Sequence, residues 1–327
     1  MKAHLMYPDR DFEAELVLSA RDQELRQDLE LDVLFDAMAG EDEFLRKVAS
    51  TAVLSGGAGP DTITYRQETL ADCLTNPALV RETYNLVVAS IEEEREARWW
   101  GLGGRSPSSN LASANKLMAY YVGTLRRLRD CAAKISTRFR SAGLRNLCAM
   151  LESELDEDYL ESVEHHLRQL GFRRGVLIGA KLGDGNKGGD YVVRKPNEER
   201  RTWIEKLLSR KPEAYTYTVA ERDDAGARAL SELRDRGMNS VANALAQSVD
   251  HIRSFYQMLR TELAFYVACL NLRDCLSEIG ESVCMPEPAR TNEGGHKFKG
   301  LYDVCLALTT KEKTVGNEGS TEGRGLV

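Results

Sequence analysis

Long apolar runs are missing from this 327-residue sequence. The longest, Leu263 to Leu270, has eight residues, where a membrane-crossing helix needs about 20. Asp9, Arg10 and Asp11 interrupt the start, so no secretory signal can form there. Those two absences predict a cytoplasmic chain with no membrane partner. The seven cysteines are scattered and none has C-x-x-C spacing, which excludes zinc ribbons and thioredoxin-type redox pairs and fits free thiols in a reducing compartment. There is no G-x-S-x-G, no H-E-x-x-H, and Gly-Lys does not occur as a pair. Hydrolase, zinc-protease and Walker A chemistry therefore have no motif to rest on. We expect no catalytic residue, no metal site and no resident cofactor in this chain.

What is present is an ordinary folded composition, 42% hydrophobic and 29% charged, with a formal net charge of −7. Such a balance argues against coating nucleic acid over the whole surface, yet allows a local basic patch, because screening confines exposed charges to about 10 Å. The first 170 residues read as helices. Three-and-four spacing of Leu25, Leu29, Val33, Leu34 and Met38 predicts one over 20–39, ending at Gly40. Further helices are expected over about 63–73, 78–98, 108–139, 142–155 and 158–170, the last capped by Asp156 and stopped by Gly171.

The texture then changes. Residues 172–180, 191–193 and 215–219 are rich in β-branched and aromatic side chains and predict short strands around the glycine-rich turn 183–189. Helix returns after Asp223-Asp224 and runs to about Ile279 with Gly237 as its only internal breaker. If unbroken, about 55 residues span roughly 80 Å, the reach of an arm. Residues 281–327 return to Pro, Gly and strand texture, with 301–308 the best strand. The predicted fold is mainly α, with a small antiparallel β insertion.

Several groups invite a chemical reading and each has a plainer one. His165-His166 offers two ligands, but adjacent helix residues point about 100° apart, and exposed helix-end histidines explain them. The acidic run from Glu152 to Glu164 matches helix-dipole complementarity rather than an EF-hand or a paired-carboxylate site. Trp99-Trp100 reads as a packing anchor beside a glycine-rich turn. The segment Gly183 to Gly189, with Lys187, resembles a phosphate cradle but lacks a following helix, so a hairpin tip is the simpler account. Between Gly171 and Pro212 eleven basic residues face five acidic ones, a net of +6 that leaves −13 on the rest. A basic tip on an acidic chain suits a salt-sensitive grip on phosphates; equally, Lys and Arg protect an exposed sheet edge from aggregation.

Three stretches resemble the MutS family of DNA mismatch-repair ATPases. Ile63-x-x-Arg66-Gln67-x-x-Leu70-x-x-Cys73-Leu74 with Asn76-Pro77 is similar to the early helices of that family's core. Residues 230–271, with Glu262-Leu263-Ala264, resemble its lever helix. Phe298-Lys299-Gly300-Leu301-Tyr302-Asp303, then Thr314-Val315-Gly316-Asn317 and Gly325-Leu326-Val327, resemble the entry to its ATPase domain. The resemblance implies a helical core and outgoing lever over 1–170, a clamp-like insertion over 171–222, a returning lever helix over 223–282, and the first strands of an ATPase domain over 283–327. It implies duplex DNA as partner, mismatched and branched forms included, and a homodimer. Lys181, Lys187, Arg194 and Lys195 are the expected phosphate contacts, backed by Arg173 and Arg174; Val315 and Asn317 are the expected nucleotide contacts. The resemblance places the Walker A lysine and the magnesium ligands beyond Val327, so ATP and magnesium belong to the parent protein. No Phe is followed two residues later by Glu, the wedge of mismatch-detecting members, and Thr314 stands where an aromatic often stacks on adenine. A helical protein-interaction scaffold and a nucleotide enzyme built on Gly183–Gly189 are the competing readings.

Overall fold

Prolines and short capping side chains decide where most helices begin. In the computed structural model, which describes residues 1–15, 19–56, 59–101, 106–172, 175–186, 188–194, 218–220, 222–289 and 295–321, ten α-helices accompany two two-stranded antiparallel sheets. They are α1 (Ala20–Asp28), α2 (Leu31–Ala39), α3 (Glu43–Leu54), α4 (Pro60–Thr75), α5 (Pro77–Gly101), α6 (Pro107–Ile135), α7 (Ala142–Glu154) and α8 (Glu157–Leu170). The hairpin β1 (Leu177–Leu182) and β2 (Gly188–Arg194) follows, then α9 (Asp224–Ile279), β3 (Lys297–Leu301), α10 (Val304–Thr310) and β4 (Asn317–Ser320). Pro60 opens α4 at its first turn, where a missing N–H costs nothing. Ser19 and Asp22 form a capping box on α1, and the Asp42 carboxylate accepts from Phe44 and Leu45 N–H at the start of α3.

Two expectations need correction. The helix over 20–39 is two helices, because Glu30 sits at φ +48° between them. The exposed α1 buries no residue, so no packing holds the two in line. Residues 304–308 are helix rather than strand: Asp303 accepts from Leu306 N–H at 3.0 Å, and the i, i+2 pair Cys305 and Ala307 is buried on a short helix. Cys305 joins Leu31, Phe35 and Leu54 in a small apolar cluster. Only Leu301, the last residue of β3, keeps its strand assignment.

The chain divides into two units. One comprises residues 1–93, 124–159 and 253–327; the other comprises 94–123 and 160–252. In the first, Tyr256, Leu259, Leu263, Tyr266 and Leu270 of α9 are fully buried, following the three-and-four period of its stripe. Tyr256 Oη donates to Thr124 Oγ1 at 2.9 Å. The N-terminal residues 3–12 are threaded into this core with Ala3, Leu5, Met6 and Phe12 buried. Glu262 of α9 holds them: its carboxylate accepts N–H bonds from Leu5, from Met6 at 3.3 Å and from Phe12 at 3.0 Å. Tyr266 Oη donates to Leu5 carbonyl at 2.6 Å and Tyr65 Oη to His4 carbonyl at 2.6 Å. A segment with no helix or strand of its own thus has several of its backbone polar groups satisfied by side chains.

Thiols follow burial. Cys73, Cys148 and Cys305 are buried, and Cys284 is the exposed one among the described residues. Burial pushes Cys148 and Cys269 up to about 12 and Cys73 higher still. Among the described residues no helix is long and apolar enough to cross a membrane.

Candidate nucleic-acid interface

The second unit is built around the hairpin. β1 and β2 pair antiparallel with Leu177 opposite Arg194, Ile178 opposite Val193 and Gly179 opposite Val192. The register slips between Gly179 and Lys181, after which Lys181 faces Gly189 and Leu182 faces Gly188. Gly185, at φ +69°, turns the tip through a short 3-10 segment over 184–186, a conformation glycine adopts without a Cβ penalty. A strand, not a helix, follows the glycine-rich turn, so the loop-then-helix order of a phosphate cradle is not present there.

Alternation along the strands gives the hairpin two faces. Val193 on the inner face packs with Phe172 and Val176 against Leu111 of α6 and Met238 and Ala242 of α9. Fully burying side chains of this size contributes about 1.5–3 kcal/mol each. Ile178 comes so close to Gly237 that a Cβ built there would lie 3.1 Å from Ile178 Cγ2. Gly237, inside α9, is therefore the seat of the hairpin. On the outer face Leu177, Val192 and Arg194 are exposed. Arg194 lies flat across Gly179, where a Cβ would overlap its Nε, so a glycine on β1 makes room for an arginine on β2.

Lys181 Nζ pairs with Asp190 at 3.1 Å, with side chains 82% and 68% exposed. Exposed pairs of this kind contribute about 0–1 kcal/mol, little enough for a phosphate to displace Asp190. Lys181 and Arg194 are thus both on the hairpin and both reachable from solvent. Lys187, Lys195, Arg173 and Arg174 lie outside the described residues, as do residues 215–217 of the strand expected over 215–219, whose last two residues are not in a strand, and the side chains of Trp99 and Trp100.

Beside the hairpin the same unit has a cleft of about 640 Å³. Leu111, Phe172, Val176 and Met238 form its apolar wall, and Lys116 and Arg234 stand among its lining residues. Leu230 and Leu233 of α9 also line it and remain 61% and 41% exposed. Ser108 Oγ ties the α6 start to α9 by donating to Asp235 at 2.5 Å and accepting from Arg234 Nε at 3.2 Å. Nothing in sequence periodicity singled out this cleft, because its lining comes from three separated segments.

The remaining sequence candidates are spread over other parts of the chain. Val315 is 86% exposed, and Asn317 opens β4; Thr314 donates to Glu281 through both N–H and Oγ1, holding that carboxyl below the usual carboxylate range. His165 and His166 are exposed with ring centroids 6.0 Å apart. Within the acidic run Glu157 is bound by Arg126 at 3.0 Å and Arg129 at 2.8 Å, and the hydrogen bonds from Arg129 and Arg126 lower its pKa. Among the described residues no group of three or more His, Cys, Asp or Glu is placed to hold a metal.

Residues 58–279 match the family model described as the MutS2 N-terminal domain. No curated protein and no solved structure gives a significant match.

Proposed function

The chain belongs to the MutS2 N-terminal domain family, and from that premise we propose that it is the DNA-holding, non-catalytic portion of a MutS-like ATPase. The observation that carries this reading is the hairpin of residues 177–194, whose inner face is seated on α6 and α9 while Lys181 and Arg194 stand in solvent. It lies in the segment with net +6 on a chain of net −7. Cations without base-reading partners position a duplex and do not select its sequence. The long α9 supplies the coupling: 56 residues of continuous helix carry a change at one end to the other, so ATP binding in the parent's ATPase domain would open or close the grip. ATP and magnesium act there, with Val315 and Asn317 at the approach to it, and the working species is a homodimer.

Duplex DNA affinity should fall steeply as salt rises, for homoduplex, mismatched and branched substrates alike. Lys181→Glu combined with Lys187→Glu should weaken all three together and flatten the log–log salt slope by about 0.9 per lost phosphate contact. Unchanged affinity and slope in that double variant would remove the hairpin assignment. A protein-interaction scaffold is the second reading, favoured by the apolar cleft with its exposed Leu230 and Leu233. It requires no DNA retention at low salt together with a stable protein partner lost on Leu233→Glu.

A further inference from the structure

The first unit carries a basic band that has no role so far. From Arg126 to Arg145 seven residues are Arg or Lys and one, Asp130, is acidic, a net of +6 in twenty residues. Two of the seven are already engaged: Arg126 and Arg129 hold Glu157, and Arg129 also holds Asp130. The other five, Arg127, Lys134, Arg138, Arg140 and Arg145, are exposed, and no ion pair engages them among the described residues. Arg127 and Lys134 are two helical turns apart on one face of α6, about 10 Å along its axis. With Arg138 they line a groove of about 470 Å³ between α5 and α6, together with Leu79, Leu86 and two carboxylates, Glu82 and Asp130.

The turn that continues this row is firmly fixed. Asp72 of α4, itself buried, accepts the backbone N–H of Arg140 at 2.8 Å and of Ser141 at 2.7 Å. At the next turn Gly143 lets α7 rest directly on α4; a Cβ there would lie 2.9 Å from Thr69 Oγ1. Phe139 is buried between Arg138 and Arg140, so the chain is pinned at one residue and offers a cation on either side. Preorganised charge of this kind costs little ordering on binding.

The chemistry of the surface selects its occupant. None of the large exposed apolar side chains lies between residues 126 and 145, so the band lacks the apolar component by which an amphipathic surface enters a membrane. It also lacks the aromatic and apolar centre of a protein interface. Leu79 and Leu86 are half-buried, and the exposed guanidinium and ammonium groups beside them match phosphate oxygens. We propose that residues 127–145 form a second duplex-DNA contact, gripping backbone phosphates through Arg127, Lys134, Arg138, Arg140 and Arg145. This surface rests on the reading of the chain as a DNA-holding module but uses none of the hairpin's residues.

The test is fluorescence anisotropy with the whole chain and a labelled 30-base-pair duplex, titrated at several salt concentrations. Arg127→Gln with Lys134→Gln and Arg138→Gln should lower affinity on the order of tenfold or more at low salt and reduce the log–log slope by about 2–3. The same three positions changed to Lys, or kept as Lys at 134, should retain most of the wild-type slope, since a point charge suffices. Far-UV circular dichroism and the denaturation midpoint should match wild type for both sets, as expected for exposed positions. The hairpin pair Lys181→Glu and Lys187→Glu, measured in parallel, separates the two ideas. Loss only in the band variant supports the band and removes the hairpin; loss only in the hairpin variant overturns the band; no duplex binding by wild type overturns both. Preference for duplex RNA over duplex DNA, or equal capture of polyglutamate, would also overturn the proposal.

Discussion

At the scale of single residues, Glu262 has the most to explain. It is fully buried in α9, and burial pushes its pKa from 4.5 up to about 7, against the three N–H donors that favour its anion. A group whose folded pKa is raised contributes stability that is complete below its unfolded value and is lost as pH rises through the folded one. Stability should therefore fall by roughly 3 kcal/mol between about pH 4.5 and pH 7 and level off above. Glu262→Gln should flatten that dependence, while costing about 1–3 kcal/mol because its amide opposes one of the N–H groups it replaces an acceptor for. Urea denaturation at pH 5 and pH 8 measures both; an equal pH dependence in the variant would show that another group titrates. The sequence placed Glu262 on the long helix, in the Glu262-Leu263-Ala264 stretch, and gave it no role of its own. It could not show the partner, because the N–H groups come from a segment 250 or more positions away.

At the scale of elements, α9 was legible nearly to the residue, since a stripe repeated over fifteen turns overwhelms any single breaker. Gly237 looked like a defect at about 1 kcal/mol relative to Ala; its contact with Ile178 makes it a socket. Gly237→Leu should dislodge the hairpin while leaving the helix intact. Amide hydrogen exchange should accelerate over 177–182 and 188–194 and stay unchanged over 253–279; equal protection of the hairpin in the variant would remove the socket. The elements misread were short. Across 304–310 a run of Val, Cys, Leu and Ala suits strand and helix equally, and the Asp303 cap, one hydrogen bond, decides between them. At Glu30 the apolar period continues without fault, yet the backbone breaks, because periodicity records which face is apolar and not whether the helix is continuous.

At the scale of the molecule, the basic character of the segment 171–212 that contains the hairpin was readable because its charges fall in one uninterrupted stretch. The band over 126–145 carries the same net charge in about half the length, but it crosses a helix, a 3-10 turn and the next helix, and a sequence read element by element divides it. Charge counted in a fixed window would have found it. Both segments together carry +12 on a chain of −7, so strong salt dependence of DNA binding follows from this distribution.

The distribution of thiols has a practical consequence. With its other described cysteines buried or half-buried and Cys284 exposed in the segment after α9, one equivalent of a maleimide dye at neutral pH should attach there and nowhere else. Mass spectrometry should find a single adduct, absent in Cys284→Ser. A dye so placed sits a few residues beyond the C-terminal end of the 56-residue helix, a ready optical gauge of whatever that helix does when DNA arrives.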